Sequence, residues 1–257
     1  MSIALQVALV MVTILVVLLV IGAPIGVAIG MSSAVSMICM IPADVSFATS
    51  AQRIFAGSNS FSLIAIPFFI LAGNIMNNGG IATRLVNCAK VISGRMPGAL
   101  AQSNVVANML FGAISGSGAA AAAAMGGTIG PLEEKEGYDK NYSTAVNVAS
   151  APVGMLIPPS NTMIVYSSVA GSVSIAALFM AGYIPGLLWG GAVMILAGIM
   201  AKKRGYQAEQ RVPVKVALKT FWQAIPSLLL IVIVIGGILG GIFTATEGSA
   251  IAVVYAV

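Results

Sequence analysis

Histidine is missing from this 257-residue sequence, and charged residues of both signs are scarce. The first shortage removes the side chain that most often acts as a general base, proton shuttle or transition-metal ligand. The second is more restrictive, because 12 basic and 7 acidic residues make up 7% of the chain, whereas about a quarter of the residues of a soluble domain are charged. So few charges cannot cover a water-facing surface, and the surface must therefore face lipid.

Several functional signatures are missing as well. The two cysteines, Cys39 and Cys88, are too few for a disulfide framework and are expected to be free thiols. The sequence contains no Walker A motif, nucleophile elbow or cluster of metal ligands. These absences exclude P-loop nucleotide hydrolases, α/β-hydrolases and metalloenzymes. The net charge of +5 is interpreted as a membrane-topology signal rather than a nucleic-acid-binding surface.

Long apolar runs dominate the sequence. Hydrophobic residues make up 59% of the chain, and its mean hydropathy is +1.03. A helix needs about 20 mostly apolar residues to cross a bilayer core, which predicts an all-α polytopic membrane protein with spans at 3–21, 25–41, 61–76, 175–201 and 225–243. Two less apolar segments, 42–60 and the amphipathic 81–96, are predicted to lie in the membrane surface.

Segment 97–131 is apolar but is interrupted by a Ser-Gly-Ser-Gly tetrapeptide at 115–118, which six alanines follow. Basic residues favour the cytoplasmic side of a membrane. If the segment enters the membrane and returns, three basic clusters share that side, namely 84–95, 135–140 and 202–219. The segment is therefore predicted to be a re-entrant helical hairpin with its tip at 115–118.

The next apolar segment, 141–168, is predicted to be a discontinuous helix that Pro158 and Pro159 interrupt. The same topology count predicts a periplasmic N-terminus and a cytoplasmic loop at 202–219. It also makes 225–243 run in the direction opposite to 3–21, and glycines follow both segments, at Gly22 and at Gly240 and Gly241. Similar plans in opposite directions predict inverted repeats, and 222–257 contains the start of the second one.

The interruptions at 115–118 and 151–162 are candidate functional sites. Irregular backbone at membrane depth is tolerated only where it is buried in protein or lines a wet cavity. Glycine and proline release carbonyl oxygens, and hydroxyl and amide side chains add more oxygens, which suits a hard cation such as Na⁺. The helix N-termini after each break suit a substrate carboxylate. A Ser/Gly linker and a simple proline kink are the structural alternatives.

The acidic residues are interpreted as structural. Four of them alternate with Lys135 and Lys140 in a short segment that is predicted to be a solvated turn, namely Glu133, Glu134, Glu136 and Asp139. Glu247 stands where a helix begins, and the helix dipole favours an acidic residue there. It is predicted to be an N-terminal cap rather than a proton carrier.

Four segments, in this order, resemble the large membrane subunit of tripartite ATP-independent periplasmic (TRAP) transporters. They are 57–73 (GSNSFSLIAIPFFILAG), 109–117 (MLFGAISGS), 151–160 (APVGMLIPPS) and 240–248 (GGIFTATEG). The resemblance implies a secondary transporter of the bacterial inner membrane that uses a sodium gradient to import dicarboxylates or sialic acids. It implies two protein partners, a small membrane subunit and a soluble periplasmic substrate-binding protein, and no organic cofactor or nucleic acid.

The resemblance also implies an elevator mechanism, in which hairpins and broken helices move past a fixed scaffold. On that plan 1–96 contains scaffold helices and an interfacial arm helix, 97–172 is the transport region, and 173–221 contains a span and the basic loop. Segment 222–257 begins the second repeat. Because the family continues with a second hairpin and a second broken helix, this sequence is expected to be a truncated piece.

The family's functional residues map onto the two interruptions. One Na⁺ site is expected to use Ser115, Ser117, Gly154 and Pro158. The substrate is expected to lie beside it, on Gly116, Gly118, Ser160, Asn161 and Thr162.

Two alternatives remain open from the sequence, a stand-alone ion-coupled anion carrier of the elevator type and a non-transport membrane scaffold. A scaffold has no need of two polar breaks. An intramembrane enzyme is disfavoured because the chain has no histidine and no paired acids or Ser/Lys pair at membrane depth.

Overall fold

The computed structural model describes residues 3–171, 173–208 and 213–257, without the side chains of Asn78, Ile81 and Ala82. These residues form helices, turns and irregular segments, with no β-strand among them, which confirms the all-α prediction. The chain divides into two compact units, Met1–Ser60 and Phe61–Val257.

Three helices form the first unit: α1 (Ile3–Val20), α2 (Ile25–Ile38) and α3 (Ala43–Ser58). Gly22 has a φ of +88° in the turn between the first two, a conformation that glycine adopts without Cβ strain. The Ser46 hydroxyl donates to the Ala34 carbonyl oxygen at 2.9 Å and ties α3 to α2. With 14 residues, α2 is shorter than its predicted span, because the chain turns after Ile38.

The second unit begins with a 3₁₀ turn, Phe61–Ile64, and continues with eleven α-helices in its described part. They are α4 (Ala65–Asn78), α5 (Ile81–Ser93), α6 (Ala99–Ser115), α7 (Gly118–Thr128), α8 (Gly130–Lys135), α9 (Lys140–Ser150), α10 (Val153–Leu156), α11 (Asn161–Ala170), α12 (Ile175–Arg204), α13 (Val214–Leu239) and α14 (Ala245–Ala256).

Within the described residues, three helices are long and apolar enough to cross a membrane alone: α1, α12 and α13. Helices are therefore present in the predicted spans 3–21, 175–201 and 225–243, although α13 begins at Val214 and ends at Leu239. The segment Lys140–Leu156 and α11 meet the same criterion together, with a bend of 48° between them, so the broken helix is confirmed as well. Together these helices support a multi-pass membrane protein.

The basic segment 202–219 is helical at both ends, whereas the sequence predicts a loop. Helix α12 continues to Arg204, and α13 already begins at Val214. Lysines and arginine are favourable in the last turn of a helix, where they meet the negative end of its dipole. Residues 209–212 of the predicted loop lie outside the described residues.

Helix α5 packs its apolar face against protein. Leu85, Val86 and Ala89 are buried in a core cluster with Phe111 and Val234, and α5 contacts both α6 and α13. Segment 81–96 is thus the amphipathic helix that its sequence predicts, but neighbouring helices cover the face that was expected to meet lipid.

An aromatic and ionic cluster fastens the start of α9 to the end of α12. The rings of Tyr138 and Tyr206 stack with centroids 4.3 Å apart, and the Tyr142 hydroxyl donates to the Ala197 carbonyl oxygen at 2.8 Å. Arg204 forms an ion pair with Asp139 at 3.1 Å. The turn between the hairpin and the broken helix is therefore held in a defined position.

Glu247 caps α14, as its position predicts. Its Oε2 accepts from the Thr244 backbone N–H at 2.8 Å, and the Glu247 N–H donates to the Thr244 hydroxyl at 3.3 Å. This reciprocal arrangement is a capping box, which satisfies N–H groups that the first helical turn leaves without partners.

Replacing Thr244 by alanine is expected to lower the stability by about 1 kcal/mol, because the cap side chain is lost. For a chain of this size the melting temperature should fall by about 2–4 °C, measured by thermal unfolding in detergent. Thr128→Ala is the matched control, since that hydroxyl donates to the Ala124 carbonyl within its own helix. An equal loss in both variants would contradict the capping role.

Candidate functional site

Helices α6 and α7 form a helical hairpin whose tip is Gly116 and Ser117. Gly116 ends α6 with a φ of +61°, and Ser117 begins α7 by accepting the Ala120 N–H at 3.3 Å. The two arms lie side by side, because Asn104 of α6 and Gly126 of α7 line the same cavity far from the tip. The helix–break–helix prediction for 97–131 is confirmed.

The broken helix is interrupted between Leu156 and Asn161. Two residues of this stretch, Pro158 and Pro159, have no backbone N–H, so the helical hydrogen bonds cannot continue through it. The Ser160 hydroxyl then caps α11 by accepting the Met163 N–H at 3.4 Å. The break therefore follows from local chemistry.

The hairpin and the broken helix meet backbone to backbone. A Cβ atom added to Gly112 would lie 2.1 Å from the Cα of Gly154, and one added to Gly154 would lie 2.5 Å from the Cα of Gly112. A Cβ on Gly118 would lie 3.1 Å from the Ala151 carbonyl oxygen. Glycine is thus required for this approach, and Gly154 has a packing role.

Hydrogen bonds join the hairpin tip directly to the helix break. The Asn161 N–H donates to the Gly116 carbonyl oxygen at 3.3 Å, and its side-chain Nδ2 donates to the Ser115 carbonyl oxygen at 3.4 Å. The Asn161 Oδ1 is buried and has no hydrogen-bond partner in the described part of the chain. An oxygen lone pair therefore remains available beside the tip.

A cavity of about 350 Å³ lies between the hairpin and α4. Ser115 and Ser117 line it from the hairpin, and Asn74 and Asn77 line it from α4. Gly73 comes so close that a Cβ there would lie 3.3 Å from Ser115. The cavity brings two hydroxyls and two amides together.

The structure brings together most of the residues that the sequence singles out. Ser115, Gly116, Ser117 and Asn161 meet at the tip, and Pro158 and Ser160 are buried in the adjoining break. Thr162 does not join them: it lines a separate, largely apolar cavity with Trp189 and Tyr166. Its predicted contact with substrate at the tip has no support in this arrangement.

An amide network beneath the tip was not found by sequence reasoning. The Asn108 Nδ2 lies within 2.8–3.0 Å of Asn104 Oδ1, Asn147 Oδ1 and Ser150 Oγ, and Asn147 donates to the Ala122 carbonyl oxygen at 2.9 Å. These bonds connect α6, α7 and α9. The sequence did contain a signal, a pair of asparagines four residues apart in an apolar helix. Because buried polar groups at membrane depth need partners, such a pair predicts a hydrogen-bond network.

Helix α12 adds a second set of close approaches. A Cβ on Gly182 would lie 2.3 Å from the Leu156 carbonyl oxygen, and one on Gly186 would lie 2.7 Å from the Ile157 side chain. Small residues four apart allow helices to approach closely. The same spacing in the sequence could have identified this face of α12 as the support of the broken helix.

Comparisons with known proteins agree with one another. A family model described as the DctM component of the tripartite ATP-independent periplasmic transporter matches residues 12–257. The uncharacterized protein YgiK of Salmonella typhimurium is 54% identical over 87% of this chain and 52% of its own length. The isethionate TRAP transporter permease protein DctMQ of Oleidesulfovibrio alaskensis is 44% identical over 80% of this chain and 32% of its own length.

A further relative is the C4-dicarboxylate TRAP transporter large permease protein DctM of Vibrio cholerae, which is 42% identical over 83% of this chain and 47% of its own length. The chain spans about half the length, or less, of these relatives. The matched residues include the hairpin tip and the helix break. This chain therefore belongs to the DctM family, the permease component of tripartite ATP-independent periplasmic transporters, whose members are transporters and not enzymes.

Proposed function

We propose that this chain is part of the large transmembrane subunit of a sodium-coupled importer of small carboxylate-bearing solutes. The single observation that carries the proposal is the contact between Asn161 and the hairpin tip. Two breaks at distant sequence positions meet there, and irregular backbone in a membrane protein is characteristic of ion and substrate sites.

A sodium site at this contact is chemically reasonable. The Ser115 and Ser117 hydroxyls and the Asn161 Oδ1 are all oxygen donors near the tip, and the Asn161 oxygen lacks a partner among the described residues. Hard cations prefer several oxygen ligands. Pro158 can contribute its carbonyl oxygen, whereas Gly154 acts in this proposal by packing against Gly112.

The cavity between α4 and the tip suits a small anion. Its volume of about 350 Å³ is at the lower end of ligand pockets. The Asn74 and Asn77 amides can donate to a carboxylate, and the N-terminus of α7 adds the positive end of a helix dipole. The substrates named for the relatives, isethionate and C4-dicarboxylates, are small anions of this kind; sialic acid is the larger candidate.

The hairpin and the broken helix are proposed to move as one body in an elevator mechanism. The contact between Gly112 and Gly154 and the network around Asn108 lock α6, α7, α9 and α10 together. The similar turns after α1 and α13, where Gly22 and Gly241 both have positive φ, support inverted repeats. We place the protein in the bacterial inner membrane, with a periplasmic N-terminus and 202–219 in the cytoplasm.

Uptake by reconstituted protein tests this function. The permease is co-reconstituted with its small membrane subunit, and vesicles receive a C4-dicarboxylate, isethionate or sialic acid with or without the periplasmic binding protein. We expect uptake that needs both an inward sodium gradient and the binding protein. Uptake without sodium refutes the coupling, and sodium-driven uptake that needs no binding protein identifies a stand-alone carrier instead.

The double substitution Ser115→Ala with Ser117→Ala tests the sodium site. Loss of two oxygen ligands to a charged ion should remove at least about 1.4 kcal/mol of binding, so the half-saturating sodium concentration should rise about tenfold. It is measured from initial uptake rates over a sodium series. Ser168→Ala is the control, because that hydroxyl donates to the Ile164 carbonyl oxygen at 3.0 Å within α11. Unchanged sodium dependence in the double variant removes both serines from the site.

A further inference from the structure

A second polar cavity of about 350 Å³ lies at the opposite end of the hairpin from its tip. Residues of four consecutive helices or their connections line it, including Asn104, Gly126, Pro131, Glu133, Ser143 and Asn147. Unlike the proposed transport site, it contains a buried carboxyl group, that of Glu133. No step of the proposed transport function uses that group.

Glu133 is buried, although its segment is predicted to be a solvated turn. Its relative exposure is 1%, whereas Glu134 and Glu136 in the same turn are exposed. The prediction is wrong for Glu133 because α8 packs against α7 and α9 and directs this one side chain inward. A pattern of alternating charges cannot reveal which member of a short helix faces its neighbours.

The buried carboxyl group of Glu133 has no hydrogen-bond partner among the described residues. Both of its oxygens have no hydrogen bond within the described ranges, and the same holds for the Ser143 hydroxyl and the Asn104 Nδ2 that line the same cavity. An isolated buried carboxylate is expensive, and such a group usually becomes neutral instead. Three unsatisfied polar groups therefore surround one space.

The charges that face Glu133 do not neutralise it. Glu134 and Lys140 line the cavity from α8 and α9, and Tyr138 lines it from the turn between them. Neither α6 nor α7 has an ionisable side chain. Tyr142 of α9 lies near enough to interact with Glu133 electrostatically, and no ion pair involving Glu133 occurs within the described ranges.

We propose that this cavity is a proton-binding site, in which Glu133 changes between a neutral carboxylic acid and a carboxylate. The proton comes from water and returns to it, because exposed residues Glu134 and Lys140 form part of the cavity wall. The Ser143 hydroxyl and the Asn104 Nδ2 can each donate to a carboxyl oxygen of Glu133, and the bond from Ser143 is stronger when the carboxyl group is charged. Each of the three unsatisfied groups then has a possible partner.

A proton explains the cavity better than a metal cation does. Lys140 and Asn104 line the same space, and neither an ammonium group nor an amide N–H can ligate a cation. Burial raises the pKa of Glu133 to about 7, and the nearby Ser143 hydroxyl lowers it in part. On the proposed topology this turn faces the cytoplasm, so the shift moves the pKa of Glu133 toward cytoplasmic pH.

The proposed site makes stability depend on pH with a defined sign. Since the folded-state pKa lies above the unfolded value of 4.5, the folded protein binds more protons between the two values, and its stability falls as pH rises through that window. Above the folded-state pKa the charged carboxylate destabilises the packing of α8 between the hairpin and the broken helix. Cytoplasmic pH would thereby affect the connection between the two mobile elements.

Thermal unfolding of the purified protein in detergent, at pH values from 5 to 8, tests the proposal. Glu133→Gln mimics the neutral acid, so the amount by which its melting temperature exceeds that of the wild type should grow as pH rises from 5 to 8. Glu136→Gln, an exposed neighbour in the same turn, should follow the wild-type curve. A difference between Glu133→Gln and wild type that does not vary with pH overturns the proposal.

Infrared spectroscopy gives a second test that does not depend on the Glu133 variant. The wild type should lose the carbonyl band of a protonated carboxylic acid as pH rises through about 7, and Ser143→Ala should shift that midpoint upward, since the hydroxyl stabilises the carboxylate. A midpoint that Ser143→Ala leaves unchanged contradicts the assignment. If 100-fold more sodium raises the melting temperature of the wild type at pH 8 but not that of Glu133→Gln, the cavity is a sodium site and the proposal fails.

Discussion

Replacing Gly112 by alanine should prevent the hairpin from docking on the broken helix and should leave little folded protein. The new Cβ would lie 2.1 Å from the Cα of Gly154, and the obstructing atom belongs to the backbone. Overpacking in a core usually costs about 1–3 kcal/mol because side chains can rearrange. Here no rotamer can relieve the clash, so we expect a loss of about 3 kcal/mol or more.

The reciprocal change, Gly154→Ala, should have a similar effect, since its Cβ would lie 2.5 Å from the Cα of Gly112. The measurement is the yield of monodisperse protein in detergent, followed by thermal unfolding of whatever folds. Because both substitutions disrupt the same contact, the double variant should lose clearly less stability than the sum of the two single losses.

Gly127→Ala is the matched control for both variants. Gly127 also lies in the hairpin, within α7, but a Cβ there would have no atom within 4 Å. Alanine is a better helix former than glycine, so the control should be within about 1 kcal/mol of wild type or slightly more stable. If Gly112→Ala unfolds at the same temperature as Gly127→Ala, the close approach of the two helices does not exist.

Gly116→Ala should reduce uptake to about one-tenth of the wild-type rate or less, with a smaller effect on stability. Alanine in the left-handed conformation costs roughly 1–2 kcal/mol, and the new Cβ would lie 3.0 Å from the Pro159 carbonyl oxygen and 3.1 Å from the Asn161 N–H nitrogen. The bond between Asn161 and Gly116 must then lengthen. Displacement of a site by about 1 Å can cost a hundredfold in rate, so function should suffer more than folding.

Gly171→Ala separates backbone strain from loss of the contact. Gly171 also has a positive φ, of +69°, yet a Cβ there would meet nothing within 4 Å. Both variants should lose similar stability, measured by thermal unfolding, but Gly171→Ala should keep near wild-type uptake. Equal uptake by the two variants would show that the Asn161 contact is not part of the transport site.

Much of the site was predictable because helix breaks have local causes. Gly116 and the two prolines at 158 and 159 interrupt helices through their own backbone properties, and the structure has breaks at both places. The cap formed by Glu247 is equally local. Thr162 is the exception within this set, because the face of α11 on which it lies depends on where α12 packs.

Local features of the sequence were enough to predict a helical membrane protein, the order of its main helices, and the two interruptions that carry the candidate site. Scarce charge, long apolar runs and residues that cannot continue a helix act over a few neighbouring positions, so they can be recognised one segment at a time. They do not require knowledge of which helices become neighbours.

Tertiary structure alone decided how those segments meet. The contact of Gly112 with Gly154, the placement of Asn74 and Asn77 across from the hairpin tip, and the burial of Glu133 each join residues of different helices. Such contacts depend on the rotation and crossing of packed helices, which the apolar pattern of a lipid-facing helix specifies poorly. In a bilayer both lipid and protein neighbours are apolar, so hydrophobicity does not distinguish the face that meets lipid from the face that meets another helix.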